Sequence, residues 1–512
     1  MKKTSLLLLT IVVAGCSQPQ SDLELQDSTY SSTYEVPTIP ENSNHGYLLE
    51  DDRIPTIYSC EEWVVFWDQL GPAVSFEVAN EFPNSVIAVS TEIFLKNRHL
   101  DSDGDGVICF LEYGIALESG PQEEVAIAES GPQEPLSPLT PTQELSDLEE
   151  CKILQGGKWP TQTTRAGFPA HPDYQLEVGD KIVIQLVNVE APDMPAKDYL
   201  EADNEFFRKT KRFLEDVTEG KIEFEIRPSD FVSKLPREII DYGLIRSGTV
   251  LLDDVVQDAI SGADGFIDFS DVDIVVVVPP SNVSALQVEF SPALPLESAS
   301  ALSTQEGKVY RATLVGKDMR WEEGHLLLAH EIGHLLGLQD YYSFEFKPGD
   351  QYHDQFKFLG EFDNMNFAPG KAREWTGWSR FLLGVLDDDQ VRCVTTQKDT
   401  SHQLFPIGLD TEEPKMVVIP TGDYTAVVIE SRRSMRHDAG LPKENEGLLV
   451  YRLDTERESG HGPLEIVRKD NLTDLFLLDA TLRPGESVVV DGLTITNLES
   501  SSTWDVVQVI QN

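Results

Sequence analysis

The sequence predicts an α+β chain of several domains. A small N-terminal module comes first, then a domain in which strands and helices alternate, then a C-terminal β-sandwich. Three observations predict it. The chain has 512 residues, more than one hydrophobic core usually needs. From Cys151 to about Gly384, runs with strand spacing alternate with runs of helical spacing. Beyond Cys393 helical spacing fades, and short β-branched runs are separated by Gly, Pro, Asn and Asp.

The N-terminus sets the compartment. Met1-Lys2-Lys3 is positive, residues 6–13 are apolar but too few to span a bilayer, and Val13-Ala14-Gly15-Cys16 follows. This resembles a bacterial lipoprotein signal, cut before a cysteine that is then lipidated. Residues 1–16 are therefore expected to be a signal ending in lipidated Cys16. Residues 17–44, rich in Ser, Thr, Pro and acids, form a tether. The protein is expected outside the cytoplasm, held to a membrane by that lipid alone. With 88 acids against 40 bases the net charge is −48, which repels nucleic acid and excludes it as a partner.

Residues 45–116 read as a compact module with short helices at 61–67 and 91–97. Asp101, Asp103 and Asp105 alternate, Gly106 follows, and Glu112 closes a twelve-residue loop. Oxygen ligands at positions 1, 3 and 5, a carbonyl at position 7 (Val107) and a bidentate Glu at 12 suit a Ca²⁺ ion in a structural role. The loop resembles an EF-hand, which accounts for Glu112. It also resembles the extracellular module called Excalibur, which accounts for Cys109, although Phe110 stands where that signature has glutamate. Residues 117–150 repeat Glu-Ser-Gly-Pro-Gln-Glu, then add Pro135, Pro138 and Pro141, with no Lys or Arg between Arg98 and Lys152. They read as a linker.

Residues 151–394 form the alternating domain, with strands at 181–187, 221–226 and 272–278 and helices at 199–217, 250–260 and 326–338. The run at 272–278 is β-branched throughout its centre, as expected of a strand buried on both faces. Residues 395–512 carry strands at 415–419, 424–431, 447–453, 486–490, 493–497 and 503–510. Apart from Cys16 the cysteines are Cys60, Cys109, Cys151 and Cys393. An even number outside the cytoplasm suggests two disulfides. Of three connectivities, Cys60–Cys109 with Cys151–Cys393 keeps each pair within one expected domain.

The helix at 326–338 carries His330-Glu331-Ile332-Gly333-His334. Histidines four apart share one helix face, so both can reach one ion, while Glu331 can bond a water on it. Gly337 can turn the chain back after the helix and bring Asp340 in as third ligand. Glu361 and Glu374 are rival third ligands, and His325 reads as structural. Three protein ligands and an open position mark a catalytic zinc site.

HExxHxxGxxD followed by Tyr341-Tyr342 resembles the metzincin-type metallopeptidases, and within them the immune inhibitor A family of secreted bacterial proteases. Further segments carry the same resemblance: Phe362-Asp363-Asn364-Met365-Asn366, the run from Glu374 to Gly384, Ile429-Glu430-Ser431-Arg432, the run from Gly447 to Asp454, and Arg483-Pro484-Gly485-Glu486-Ser487. The likeness spans roughly 180 to 512. It implies a metzincin-like zinc peptidase domain, a twisted sheet plus an active-site helix, followed by the β-sandwich. It also implies a Met-turn at Met365 and the hydrolysis of protein or peptide substrates. Gln339 departs from the family's usual proline, and Asn366-Phe367 from its small residues. The competing expectation is a non-catalytic, calcium-stabilised surface binding protein.

Overall fold

The structure, a computed structural model, describes residues 56–59, 85–88, 147–157, 163–171, 179–245, 251–296, 300–345, 347, 350–395 and 399–512. The chain divides into two compact units. In the first, β1 (Thr56–Ser59) and β2 (Ser85–Ala88) pair antiparallel, with Thr56 opposite Ala88. The helices expected at 61–67 and 91–97 lie outside the described residues. So do Cys16, Cys60, Cys109 and the calcium-loop residues Asp101, Asp103, Asp105, Val107 and Glu112.

The second unit takes in Pro141–Asn512 and is described from Asp147 onward. The Asp147 side chain accepts the Glu149 N–H at 3.1 Å and starts a 3-10 turn, Leu148–Cys151. The last residues expected in the linker therefore belong to this unit, where Cys151 is bonded to Cys393.

A six-stranded sheet follows, made of β3 (Lys181–Glu190), β4 (Glu223–Arg227), β5 (Val232–Lys234), β6 (Ile274–Val278), β7 (Ala293–Pro295) and, after the small pair β8 (Leu302–Ser303) and β9 (Lys308–Val309), β10 (Arg311–Leu314). Its order is β4-β3-β6-β10-β7, with β5 also on β3. β7 alone runs antiparallel to its neighbour. β6 is buried at every position, so the sheet is covered on both faces.

Three helices do the covering. α1 (Glu205–Val217) buries Phe206, Phe207, Phe213, Leu214 and Val217. It begins six residues later than the periodicity suggested, because the Asn204 side chain accepts the Phe206 N–H at 3.0 Å and caps it there. α2 is Leu252–Ala263, and α3, Gly324–Leu335, is apolar around nearly its whole circumference. α3 packs against α1, β7 and β10. It stops before 338 because Leu338 N–H bonds Gly333 O and Gly337 N–H bonds His334 O, each at 3.0 Å, with Gly337 at φ 106. This is a Schellman turn, which the glycine makes accessible. Two short helices come later, α4 (Tyr352–Gln355) and α5 (Gly377–Leu382).

The C-terminal strands form two sheets. One has the order β11-β13-β14-β15-β16, from Val391–Cys393, Met416–Gly422, Thr425–Arg432, Gly447–Asp454 and Leu464–Ile466. The other has the order β12-β19-β18-β17, from Thr400–Leu404, Asp505–Gln511, Leu493–Ser500 and Ser487–Val490. Strand alternation divides the first sheet between two cores. Val417, Ile419, Val427, Ile429, Leu448 and Val450 pack against Val488, Ile495 and Val507 of the second sheet. Met416, Val418, Ala426, Val428, Leu449 and Tyr451 join the core that also contains α1, α3 and β6. No helix among the described residues is long and apolar enough to cross a membrane.

A sheet shared between two cores couples both halves of the unit. Native-state hydrogen exchange under rising denaturant should bring the slowest amides of α3 and β14 onto one isotherm. Separate isotherms would mean that the halves unfold independently.

Candidate metal centre

α3 sets His330 and His334 one turn apart on a single face. Their Nε2 atoms lie 3.1 Å from each other, and Asp340 Oδ1 lies 3.1 Å from both. Among the described residues these three side chains form the cluster able to hold a metal ion. Each imidazole is held from behind. His330 Nδ1 donates to Asn364 O at 2.9 Å, and His334 Nδ1 donates to Leu338 O at 2.8 Å. A carbonyl can only accept, so each Nδ1 carries a proton, and Nε2 is the nitrogen left to offer its lone pair to an ion at the common point. Two imidazole nitrogens and one carboxylate oxygen suit zinc or a similar transition ion better than the all-oxygen sites of calcium or magnesium.

The Gln339 departure leaves Asp340 within reach of both histidines. Gln339 is buried, and its Nε2 donates to Thr164 O at 3.4 Å. Beside it, Arg165 N–H bonds Gly337 O at 2.8 Å. The segment before β3 thus braces the turn that carries Asp340.

The rival ligands are engaged elsewhere. Glu361 accepts the Lys371 N–H at 2.7 Å. Glu374 pairs with buried Arg380 and accepts the His437 N–H at 3.2 Å. His325 sits a turn upstream with Nδ1 3.2 Å from Glu322 O, and burial lowers its pKa to about 4.

Desolvation dominates the electrostatics. It works against the charge of the Asp340 carboxylate, yet the two imidazoles hold that group well below its usual range. It also opposes an imidazolium at His334, but Asp340, Glu331 and the Leu338 carbonyl together outweigh it and lift the pKa to about 9, so an ion would bind by displacing a proton from Nε2. Glu331 is pushed well above the ordinary carboxyl value by burial, although the Ala293 N–H of β7 donates to its Oε2 at 2.7 Å.

Met365 lies directly beneath the helix. A Cβ on Gly333 would come within 2.5 Å of Met365 Sδ, so the glycine of the motif makes room for it. Asp363, at φ 67, holds this turn together. It accepts the Met365 N–H at 2.8 Å and the Thr376 N–H at 2.7 Å. The departing residues after Met365 serve packing: Asn366 Nδ2 donates to Gly360 O at 2.6 Å, and Phe367 stacks on Phe356 with centroids 4.1 Å apart.

Sequence reasoning missed Ala293, Asn364 and Asp363 as supports of the site. The first two act through backbone atoms, which leave no mark on residue type. No family model matches the chain, and no curated protein matches it significantly.

Asp363→Ala removes the acceptor of two buried N–H groups. It should lower stability by about 2–6 kcal/mol in urea unfolding, at about 1–3 kcal/mol per orphaned group. A loss within error of zero would show that the turn does not depend on this carboxylate.

Proposed function

We propose that the protein is a zinc-dependent endopeptidase of the immune inhibitor A type, acting on proteins or peptides outside the cytoplasm and held to a membrane through Cys16. One observation carries the reading: Nε2 of His330, Nε2 of His334 and Oδ1 of Asp340 converge at 3.1 Å, with Glu331 at the next helix position.

The two imidazoles and Oδ1 of Asp340 would hold the ion. When bound, zinc supplies a Lewis acid and a water whose pKa falls to about 7. The chain's own groups do the rest. Glu331 takes the proton of the attacking water and returns it to the leaving amine. The Ala293 N–H fixes one carboxylate oxygen and so limits rotation of the other. The Nδ1 bonds to Asn364 and Leu338 keep both rings in the ligating tautomer. Calcium in the loop closed by Glu112 is part of the same proposal, as a structural ion.

A second reading is a non-catalytic, calcium-stabilised surface binding protein on a peptidase-like fold. One observation favours it: His330, Glu331, His334 and Asp340 are 0 %, 2 %, 1 % and 1 % exposed, whereas a substrate backbone needs access. Against it stands Glu331, a buried carboxyl that costs stability and that a purely structural ion would not require.

The mature protein should bind zinc and cleave casein, lose the activity to a chelator and regain it with zinc. Glu331→Gln should keep the zinc and lose about 10²–10⁴ of the rate. Zinc bound without cleavage by wild type, before and after trimming of the N-terminal 150 residues, would favour the second reading. Equal cleavage by Glu331→Gln would end the first.

A further inference from the structure

The loop between β15 and β16 belongs to the C-terminal sandwich, yet it touches the metal centre. Ser459 Oγ accepts the Asp340 N–H at 3.0 Å and donates to Asp340 Oδ2 at 3.3 Å. The neighbouring Gly460 N–H bonds Asp340 O at 3.1 Å, and Phe344 N–H bonds Gly460 O at 2.9 Å. One hydroxyl and one peptide unit therefore grip the main chain and the side chain of Asp340 together.

The loop is built to be held there. Gly460 has φ 78, and a Cβ on it would lie 2.1 Å from the Phe344 ring. Gly462 has φ 69, and a Cβ there would lie 2.5 Å from the ring of Phe358. Both glycines are needed for the loop to press so closely. Within the loop, Arg457 Nη1 donates to Gly462 O at 3.0 Å and to Glu465 at 2.9 Å. The chain ends are closed by Asp454 N–H on Pro463 O at 2.8 Å.

We propose that Ser459 is a positioning residue for the third metal ligand, and that the C-terminal sandwich thereby completes the metal centre. The inference rests on the metal-site reading above. A carboxylate turns easily about its last torsion. A hydroxyl can accept one hydrogen bond while donating another. Ser459 does both: it ties Oδ2 to the loop, so that Oδ1 alone faces the two imidazoles. Without that tie both oxygens are free to compete for the ion, and the open position needed by substrate is lost. Groups that orient a ligand in this way typically govern metal affinity by about 10–100-fold.

The test uses the full chain with zinc alone as the probe, as wild type, Ser459→Ala and Ser459→Thr. Zinc affinity is read by competition with a chelator of known affinity, ligand geometry by the visible spectrum after cobalt substitution, and folding by the metal-free unfolding midpoint. Ser459→Ala should bind zinc about 10–100-fold more weakly, with an altered cobalt spectrum and a metal-free midpoint lowered only by the loss of the Asp340 N–H acceptor, the variant staying folded under the assay conditions. Ser459→Thr, which keeps the hydroxyl, should restore both affinity and spectrum. Wild-type affinity and spectrum in Ser459→Ala would overturn the positioning role and leave the metal site standing. An Ala-like loss in Ser459→Thr would overturn the part assigned to the hydroxyl. Failure of wild type itself to bind zinc would remove the metal reading and this inference with it.

Discussion

Gly337 leaves α3 at φ 106, and that backbone angle returns the chain so that Asp340 Oδ1 sits 3.1 Å from both imidazoles. A side chain at this angle would be strained, because only glycine visits the left-handed region routinely. The same turn releases the Leu338 carbonyl to His334 Nδ1. A single stop signal therefore sets the place of Asp340 in the cluster and which His334 nitrogen faces it. An isolated buried carboxylate would cost several kcal/mol. Its two imidazole partners, together with the hydroxyl and N–H bonds of the loop at 459–460, are what make the position tenable.

The floor of the site depends on the sandwich as well. Glu430 on β14 accepts the Gly377 N–H at 2.7 Å and the Tyr451 hydroxyl at 2.9 Å. Arg432, two positions along the same strand, donates to Ala372 O at 3.0 Å and to Glu374 O at 3.1 Å. These bonds fix the chain that leaves the Met365 turn and enters α5. Two charged residues on one buried strand face are expensive unless each is matched, and Arg432 is matched by Glu430 and Asp438 at 3.2 and 3.1 Å. The inner sheet is thus both a wall of the hydrophobic core and the anchor of the loop beneath the ion site.

Much of this was legible in the residues because it is local. The spacing of His330, Glu331 and His334, the glycine at 337 and the continuous apolar runs of β13, β14 and β15 are short-range patterns that one chain states by itself. Other features are settled at long range and were hidden. The spacing of Gly337 already favours Asp340 over Glu361 and Glu374 in the sequence, but that Lys371, His437 and Arg380 occupy those two glutamates shows only in three dimensions. The tie between Ser459 and Asp340 joins positions 119 residues apart. β7 and β10 are three and four residues long, too short for period-2 spacing to stand out, yet β7 supplies the N–H that holds Glu331. The start of α1 was misjudged because apolar spacing continues upstream through Leu200, whereas the Asn204 cap decides where the helix begins.

The central claim is that His330, His334 and Asp340 together form one zinc site. X-ray absorption at the zinc edge of the purified, zinc-loaded full chain tests it most directly when wild type is compared with Asp340→Ala. The account predicts two imidazole nitrogens at about 2.0–2.1 Å and carboxylate oxygen at about 2.0–2.2 Å in wild type, with that oxygen contribution altered in the variant. A wild-type spectrum without the two imidazoles, or one that Asp340→Ala leaves unchanged, would contradict it.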